Sequence, residues 1–342
     1  MQAIILSQPE KLAQVSVDRP GSPGPGMVRV RVHRVGICGT DYAGYRGKFP
    51  FYSYPRIPGH ELGVEVLEIG SGVEGLQSGD RCAVEPYLNC GTCYACSRGH
   101  GNCCEHLEVL GVHVDGGMQE EMILPARKLH KSTKLSYEEL ALVEPLTIGA
   151  HAVERGMLRS GDQVLVVGAG PIGLAVIQFA QSAGALITVL DVSPSRLDFC
   201  RRNMNVTEVV RFAEMKQAMD DLSRATDGKY FSVVFDATGS LASMENAFNY
   251  VAHSGRLVYA GIVTSNISFP DPLFHRRELT LLASRNSQPS DFARVIGFIE
   301  ESEHVARTWI THRTQITQLP LYMPVLLNLE TQVIKAMVKV TP

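Results

Sequence analysis

The sequence lacks an apolar run long enough to cross a bilayer. Its longest, 164–177 (VLVVGAGPIGLAVI), covers fourteen residues and is interrupted by glycines and a proline, whereas a membrane span needs about 20. Basic charge is not in excess either: 32 Lys and Arg stand against 35 Asp and Glu, a formal net charge of −3. That leaves no electrostatic footprint for nucleic acid. No block of like charge marks an interaction tail. The opening residues MQAIILSQPEKLAQV show no basic region leading into an apolar stretch and a small-residue cleavage site, so a soluble cytoplasmic protein is expected. Internal repeats are missing, and the one biased segment is a Pro/Gly loop at 20–26 (PGSPGPG).

What is present points to two domains. A chain of 342 residues with 45% hydrophobic and 20% charged residues is ordinary globular material, too long for one usual core. The first part reads as β-rich, because 27–35 (MVRVRVHRV) and 62–69 (LGVEVLEI) alternate apolar and polar residues. Near Gln163 the pattern changes to short apolar strands alternating with helical stretches: QVLVV, a helix from about Pro171, LITVL, a helix from Pro194, then FSVVFD, GRLVYAG and ELTLLAS. Such alternation implies a parallel sheet covered on both faces. Ser193 and Pro194 supply an N-cap and a first-turn proline.

Gly168, Gly170 and Gly173, with Pro171 and Ile172 between them, form GAGPIG directly after the strand QVLVV, and Asp191 ends the next strand. The first glycine allows a tight turn, the second a close approach of backbone to a pyrophosphate, the third close packing of helix on strand. The helix N-terminus then offers free N–H groups to phosphate. Asp191 can accept from the ribose hydroxyls and repels a 2′-phosphate, which favours NAD over NADP. Arg196 stands where it could flank the adenine or ribose. Asp236, Gly239, Gly261 and Asn286 follow successive strands and are further candidates for the groove.

Eight cysteines are present, and five of them fall within fifteen residues. Cys90, Cys93, Cys96 and Cys104 read C-x2-C-x2-C-x7-C, a spacing that turns thiolates toward one point and closes a tetrahedral zinc site without an open position. An iron–sulfur cluster uses the same ligand type. Cys103 beside Cys104 leaves the fourth ligand open. A second constellation is more dispersed: Cys38 in GICGTD, His60 and Glu61 in PGHE, and Glu144 in VEP. Each residue alone is more often core or surface than a ligand.

Taken with the glycine turn and the cysteine cluster, these stretches resemble the medium-chain zinc-dependent alcohol dehydrogenases over nearly the whole chain, in particular the sorbitol and threonine dehydrogenase branch. That resemblance implies an α/β architecture: a GroES-like β-barrel catalytic domain over 1–144 and 286–342, with the structural lobe at 90–104, and a Rossmann doubly wound parallel sheet over 145–285. It implies two Zn2+ per chain and NAD. Cys38 and His60 would hold the catalytic zinc with Glu61 or Glu144 as third protein ligand, Asp41 would orient the zinc-binding histidine, Thr40 would relay a proton, and Lys335 would reach the pyrophosphate from the C-terminal segment. Relatives commonly carry a histidine five residues after the zinc cysteine, where this chain has Ala43. Homodimers or homotetramers are usual in the family.

The stretches FYSYPRIPGHE, VLGVHVDGG and LFHRRELTLLASRNSQPSDF resemble bacterial L-galactonate-type sugar-acid oxidoreductases. The implied partner is a small hydroxylated acid, with Arg46, Lys48, His113, His275, Arg276 and Arg285 as the cations available for its carboxylate. A polyol or L-threonine dehydrogenase is the nearest alternative. A non-catalytic NAD-binding regulator is the alternative of another class, disfavoured because a sensor has no need of Cys38, Thr40, His60, Glu61 and Glu144 together.

Overall fold

The computed structural model describes residues 1–302 and 308–341. The chain divides into two compact units, one formed by Met1–Pro145 and Gln288–Pro342, the other by Leu146–Ser287. Among the described residues no helix is long and apolar enough to cross a membrane.

The first unit is built on a seven-stranded sheet. The alternation read at 27–35 becomes the long strand Met27–Ile37, whose Val28, Val30, Val32 and Val35 are fully buried. It pairs antiparallel with Glu61–Ile69, with Glu121–Pro125 and with Lys335–Lys339. The last of these pairs in parallel with Ile310–Gln315, while Arg81–Val84 and Leu129–Lys131 extend the other side. The apolar faces of these strands, with Met118, Leu319 and Met323, make one contiguous core.

The second unit is a six-stranded parallel sheet in the order Glu208–Arg211, Leu186–Asp191, Gln163–Val167, Phe231–Asp236, Val251–Tyr259, Thr280–Ala283. This is the doubly wound order, with its switch point beside Gln163–Val167, where such sheets bind ligands at the carboxyl ends of their strands. The helices Pro171–Ser182 and Pro194–Asn203 begin where proline and cap residues predict, and the Ser193 side chain accepts from the Arg196 N–H. Gln163–Val167 is buried along Val164–Val167 because helices cover both faces of the sheet.

Gly173 is the tightest point of this unit. A Cβ there would lie 1.7 Å from the Gly168 carbonyl oxygen, which is backbone and cannot yield. Gly173→Ala is therefore expected to lower stability by at least about 1–3 kcal/mol, as overpacking does. Urea unfolding should show a lower midpoint, and an unchanged midpoint would contradict the packing described.

Candidate metal centres and dinucleotide site

The strand Met27–Ile37 runs into Cys38, which caps the short helix Gly39–Tyr45. The Cys38 N–H donates to Asp41 Oδ2 at 2.9 Å, which fixes the thiol at the helix start. Across the sheet, Gly36 pairs with Glu61, the first residue of its strand. The ligand atoms of Cys38, His60 and Glu61 lie within 4.8 Å of one another, with His60 and Glu61 buried. Gly36 makes this possible, since a Cβ at that position would sit 2.0 Å from Glu61 Oε2.

Glu61 is buried together with Lys335, each 1% exposed. Lys335 Nζ donates to Glu61 Oε1 at 2.6 Å, to Oε2 at 2.7 Å and to the Ile37 carbonyl at 3.2 Å. Lys335, which the family resemblance assigns to a pyrophosphate, is engaged here with Glu61. The pairing Ala336↔Ile37 carries Lys335 past the end of Met27–Ile37 and places its ammonium against Glu61. A buried carboxylate requires a counter-charge, and this lysine supplies it.

Glu144 lies outside the 4.8 Å group. It sits on the helix Tyr137–Gly156, 5% exposed, and accepts a hydrogen bond from the buried Tyr87 hydroxyl. Burial pushes its carboxyl up from the ordinary range, while the nearby His60 pulls it down. Burial alone would lower the His60 imidazole; the charges of Cys38 and Asp41 outweigh it and raise it well above the usual histidine value. His60 Nδ1 and Asp41 Oδ1 are both buried and have no hydrogen-bond partner among the described residues. A thiol, an imidazole with an unspent nitrogen and a carboxylate on one point are a donor set that suits zinc with a position left open. Thr40 and Ala43 are half-buried on the same short helix.

The four-cysteine lobe is a separate centre. The Sγ atoms of Cys90, Cys93, Cys96 and Cys104 lie within 4.8 Å of one another. Cys103 is exposed and outside this group; Cys104 is buried. Backbone N–H groups of Thr92 and Cys93 point at Cys90 Sγ and hold its thiol down at about 6. The Asn89 side chain donates to Cys96 Sγ at 3.5 Å and lowers that thiol too. N–H donors aimed at sulfur favour thiolates, the form that binds metal, so the residues fit a closed structural zinc site.

In the second unit, Gly168 takes φ +96°, a left-handed turn that favours glycine, and Gly170 caps the helix that Pro171 and Ile172 begin. Asp191 Oδ2 accepts the Ala169 N–H at 2.6 Å and Oδ1 the Ser193 N–H at 2.7 Å, so the carboxylate is tied to the glycine turn itself. A cavity of about 370 Å³ opens here, with Gly168, Gly170, Asp191, Arg196, Thr238 and Ser243 in its walls. Gly261 and Asn286 are not among its walls. Gly261 packs on Gly239, and Asn286 occupies a left-handed turn at φ 52°. Sequence reasoning missed Thr238 and Ser243. Both donate to the fully buried Asp236, at 2.6 Å each, and hydroxyl residues carry no spacing signal. Tyr87 was missed for the same reason.

Two family models match the chain: the alcohol dehydrogenase GroES-like domain over residues 24–134 and the zinc-binding dehydrogenase model over 171–301. The chain is 38% identical to the L-galactonate-5-dehydrogenase of Escherichia coli, covering 92% of this chain and 91% of that protein. It is 30% identical to a sorbitol dehydrogenase of Halalkalibacterium halodurans, covering 93% and 94%. Among solved structures, an Escherichia coli short chain alcohol dehydrogenase complexed with NADH superposes with a TM-score of 0.91 at 29% identity over 99% of both chains. The 2R,3R-butanediol dehydrogenase of Bacillus subtilis gives 0.89 at 26%, again over 99% of both.

The buried pair makes an asymmetric prediction. Lys335→Met leaves Glu61 buried without its partner and should cost about 3–5 kcal/mol. The double variant Lys335→Met/Glu61→Leu should recover much of that loss in the same urea titration. Equal destabilisation by both variants would show that the ion pair is not the source.

Proposed function

The chain belongs to the zinc-binding alcohol dehydrogenase family with a GroES-like domain, and on that premise we propose that it oxidises a secondary hydroxyl of a sugar acid resembling L-galactonate, with NAD as hydride acceptor. One observation carries the chemistry: the convergence of the half-buried Cys38 with the buried His60 and Glu61. The substrate class rests on the 38% identity to a protein of that activity across nine-tenths of both chains.

Cys38, His60 and Glu61 are the residues that would hold the catalytic zinc, and Cys90, Cys93, Cys96 and Cys104 those that would hold the structural one. Zinc bound at the first set supplies Lewis-acid polarisation of the substrate hydroxyl, and NAD supplies the acceptor carbon. Asp41 fixes the Cys38 backbone through Oδ2 and keeps a buried Oδ1 without a hydrogen bond; it is the carboxylate that would orient the metal-binding His60. Lys335 balances the Glu61 charge. Thr40, on the short helix after Cys38, is the hydroxyl that would relay the substrate proton, its Oγ1 accepting that proton as its own O–H proton passes toward the cofactor ribose and solvent. The turn at Gly168, Gly170 and Gly173 leaves backbone N–H groups free for the pyrophosphate. Asp191 keeps acceptor capacity for the ribose hydroxyls, since an ionised carboxylate offers about four lone-pair sites and two are used by Ala169 and Ser193.

A second reading is a neutral polyol as substrate. Arg46, Lys48, His113, His275, Arg276 and Arg285 are all exposed, so none provides a buried counter-charge for a carboxylate. The relative named sorbitol dehydrogenase supports the same alternative.

Two measurements test the proposal. Asp191→Ala should weaken NAD binding about tenfold or more, the loss of a hydrogen bond to a charged group, and should raise the relative use of NADP. A wild type that prefers NADP would sink the cofactor assignment. For the substrate, kcat/KM is compared for L-galactonate and its neutral alditol and lactone by NADH absorbance. A charge-assisted contact to the carboxylate should favour the acid by roughly ten- to a hundredfold. Equal turnover of the alditol replaces the sugar-acid reading with the polyol one.

A further inference from the structure

Asp236 ends the strand Phe231–Asp236 and is fully buried. It pairs with Val167, the residue from which the glycine turn starts. Three donors converge on its carboxylate. Oδ1 accepts the Thr238 N–H at 2.9 Å and the Thr238 hydroxyl at 2.6 Å, and Oδ2 accepts the Ser243 hydroxyl at 2.6 Å. Hydrogen bonds donated to a carboxylate favour its charged form. An ionised carboxylate can only accept, so each hydroxyl spends its single proton on Asp236.

The two hydroxyls differ in what they have left. Thr238 Oγ1 already accepts the Ser240 N–H at 3.1 Å. Ser243 Oγ makes no other hydrogen bond among the described residues, so both its lone pairs are unspent. Thr238 and Ser243 stand in the wall of the cavity of about 370 Å³, and Asp236 lies behind it. Ser243 thus meets the cavity as an acceptor alone. Turning its O–H outward would leave Asp236 Oδ2 buried without a partner, which is costly for a charged group. Phosphate belongs at the glycine turn and ribose at Asp191. The wall that remains, with Val192, Phe212, Ala242 and Tyr250, is apolar and aromatic, a lining that suits the flat face of a base.

We propose that Asp236 is a positioning residue for base recognition: by taking the Ser243 proton, it makes the cavity select a base with a hydrogen-bond donor at its 6-position, adenine, over one with an oxo group there, hypoxanthine. This rests on the reading of the cavity as the seat of the adenosine half of NAD. The 6-amino group of adenine donates, whereas a 6-oxo group only accepts. An oxo group would set lone pair against lone pair at Ser243 Oγ. Asp236 itself never touches the base and acts through the serine.

Calorimetric titration of the full chain tests this without recourse to activity. The ligands are NADH and reduced nicotinamide hypoxanthine dinucleotide, which differ only in the base. Wild type should bind NADH about three- to tenfold more tightly, the worth of one hydrogen bond. Ser243→Ala should bring the two affinities together, mainly by weakening NADH. In Asp236→Asn the amide oxygen must stay on the Thr238 N–H, so the amide nitrogen faces Ser243 and donates to it. The serine proton is then returned to the cavity, and the preference should vanish or invert. A merely structural role for Asp236 would weaken both dinucleotides alike and keep their ratio, and that result overturns the positioning role. If circular dichroism shows Asp236→Asn to be unfolded, Ser243→Ala decides alone, and a preference retained in it overturns the proposal. Equal affinities in the wild type overturn the base selection and leave the dinucleotide site standing. A wild type that binds neither dinucleotide overturns the reading of the cavity and this inference with it.

Discussion

Glu61 and Lys335 lie 274 residues apart in sequence and meet in one buried ion pair. Much of the first unit follows from it. Gly36 is the common neighbour of both strands, paired with Glu61 on one side and with Met337 on the other. It has no side chain because the Glu61 carboxylate occupies that space. A slip of one residue in either pairing would turn a charged group to the wrong face and strand the other without a partner, at a cost of several kcal/mol. Register and charge therefore enforce each other, and together they bring Glu61 to Cys38 and His60.

Local order is legible in the sequence and long-range charge pairing is not. The turn from Gly168 to Gly173 is written in contiguous residues, so its strand, its helix and its acid can be read without knowing the fold. The cysteine spacing is equally local. It stops short at Cys103 and Cys104, because neighbours in sequence differ only in which way they face, and it is the Cys104 sulfur that lies within 4.8 Å of the other three. Cys38, His60 and Glu144 come from three separate segments and are legible only through family resemblance. Lys335 is legible only in part for the same reason: the resemblance assigns it to the pyrophosphate, while its buried partner Glu61 lies 274 residues away in sequence. The hydroxyls of Tyr87, Thr238 and Ser243 leave no trace at all in spacing or periodicity.

The second unit solves its electrostatic problem by another route. Asp236 is fully buried with no cation as partner among the described residues; burial raises its pKa, opposed by two hydroxyls and a backbone N–H. Asp191 is held by two backbone N–H groups of the loops it joins. These acids are satisfied within the sheet's own carboxyl-end loops. Glu61 meets a charge from a distant strand, whereas Asp191 and Asp236 meet the dipoles of neighbouring loops.

That contrast bears on the order in which the chain acquires structure as it leaves the ribosome. The second unit is a continuous stretch, Leu146–Ser287, that interrupts the sequence of the first, whose sheet takes in the later strand Lys335–Lys339. Domains fold as units during synthesis at about 5–20 residues per second. The later half of the sequence is thus able to reach its native form while the earlier half still waits. Until Lys335–Lys339 has been made, the Arg34–Ile37 end of Met27–Ile37 lacks its neighbour and Glu61 lacks the Lys335 counter-charge. The β-rich portion, although made first, is therefore expected to complete its sheet only after Leu146–Ser287 has been synthesised.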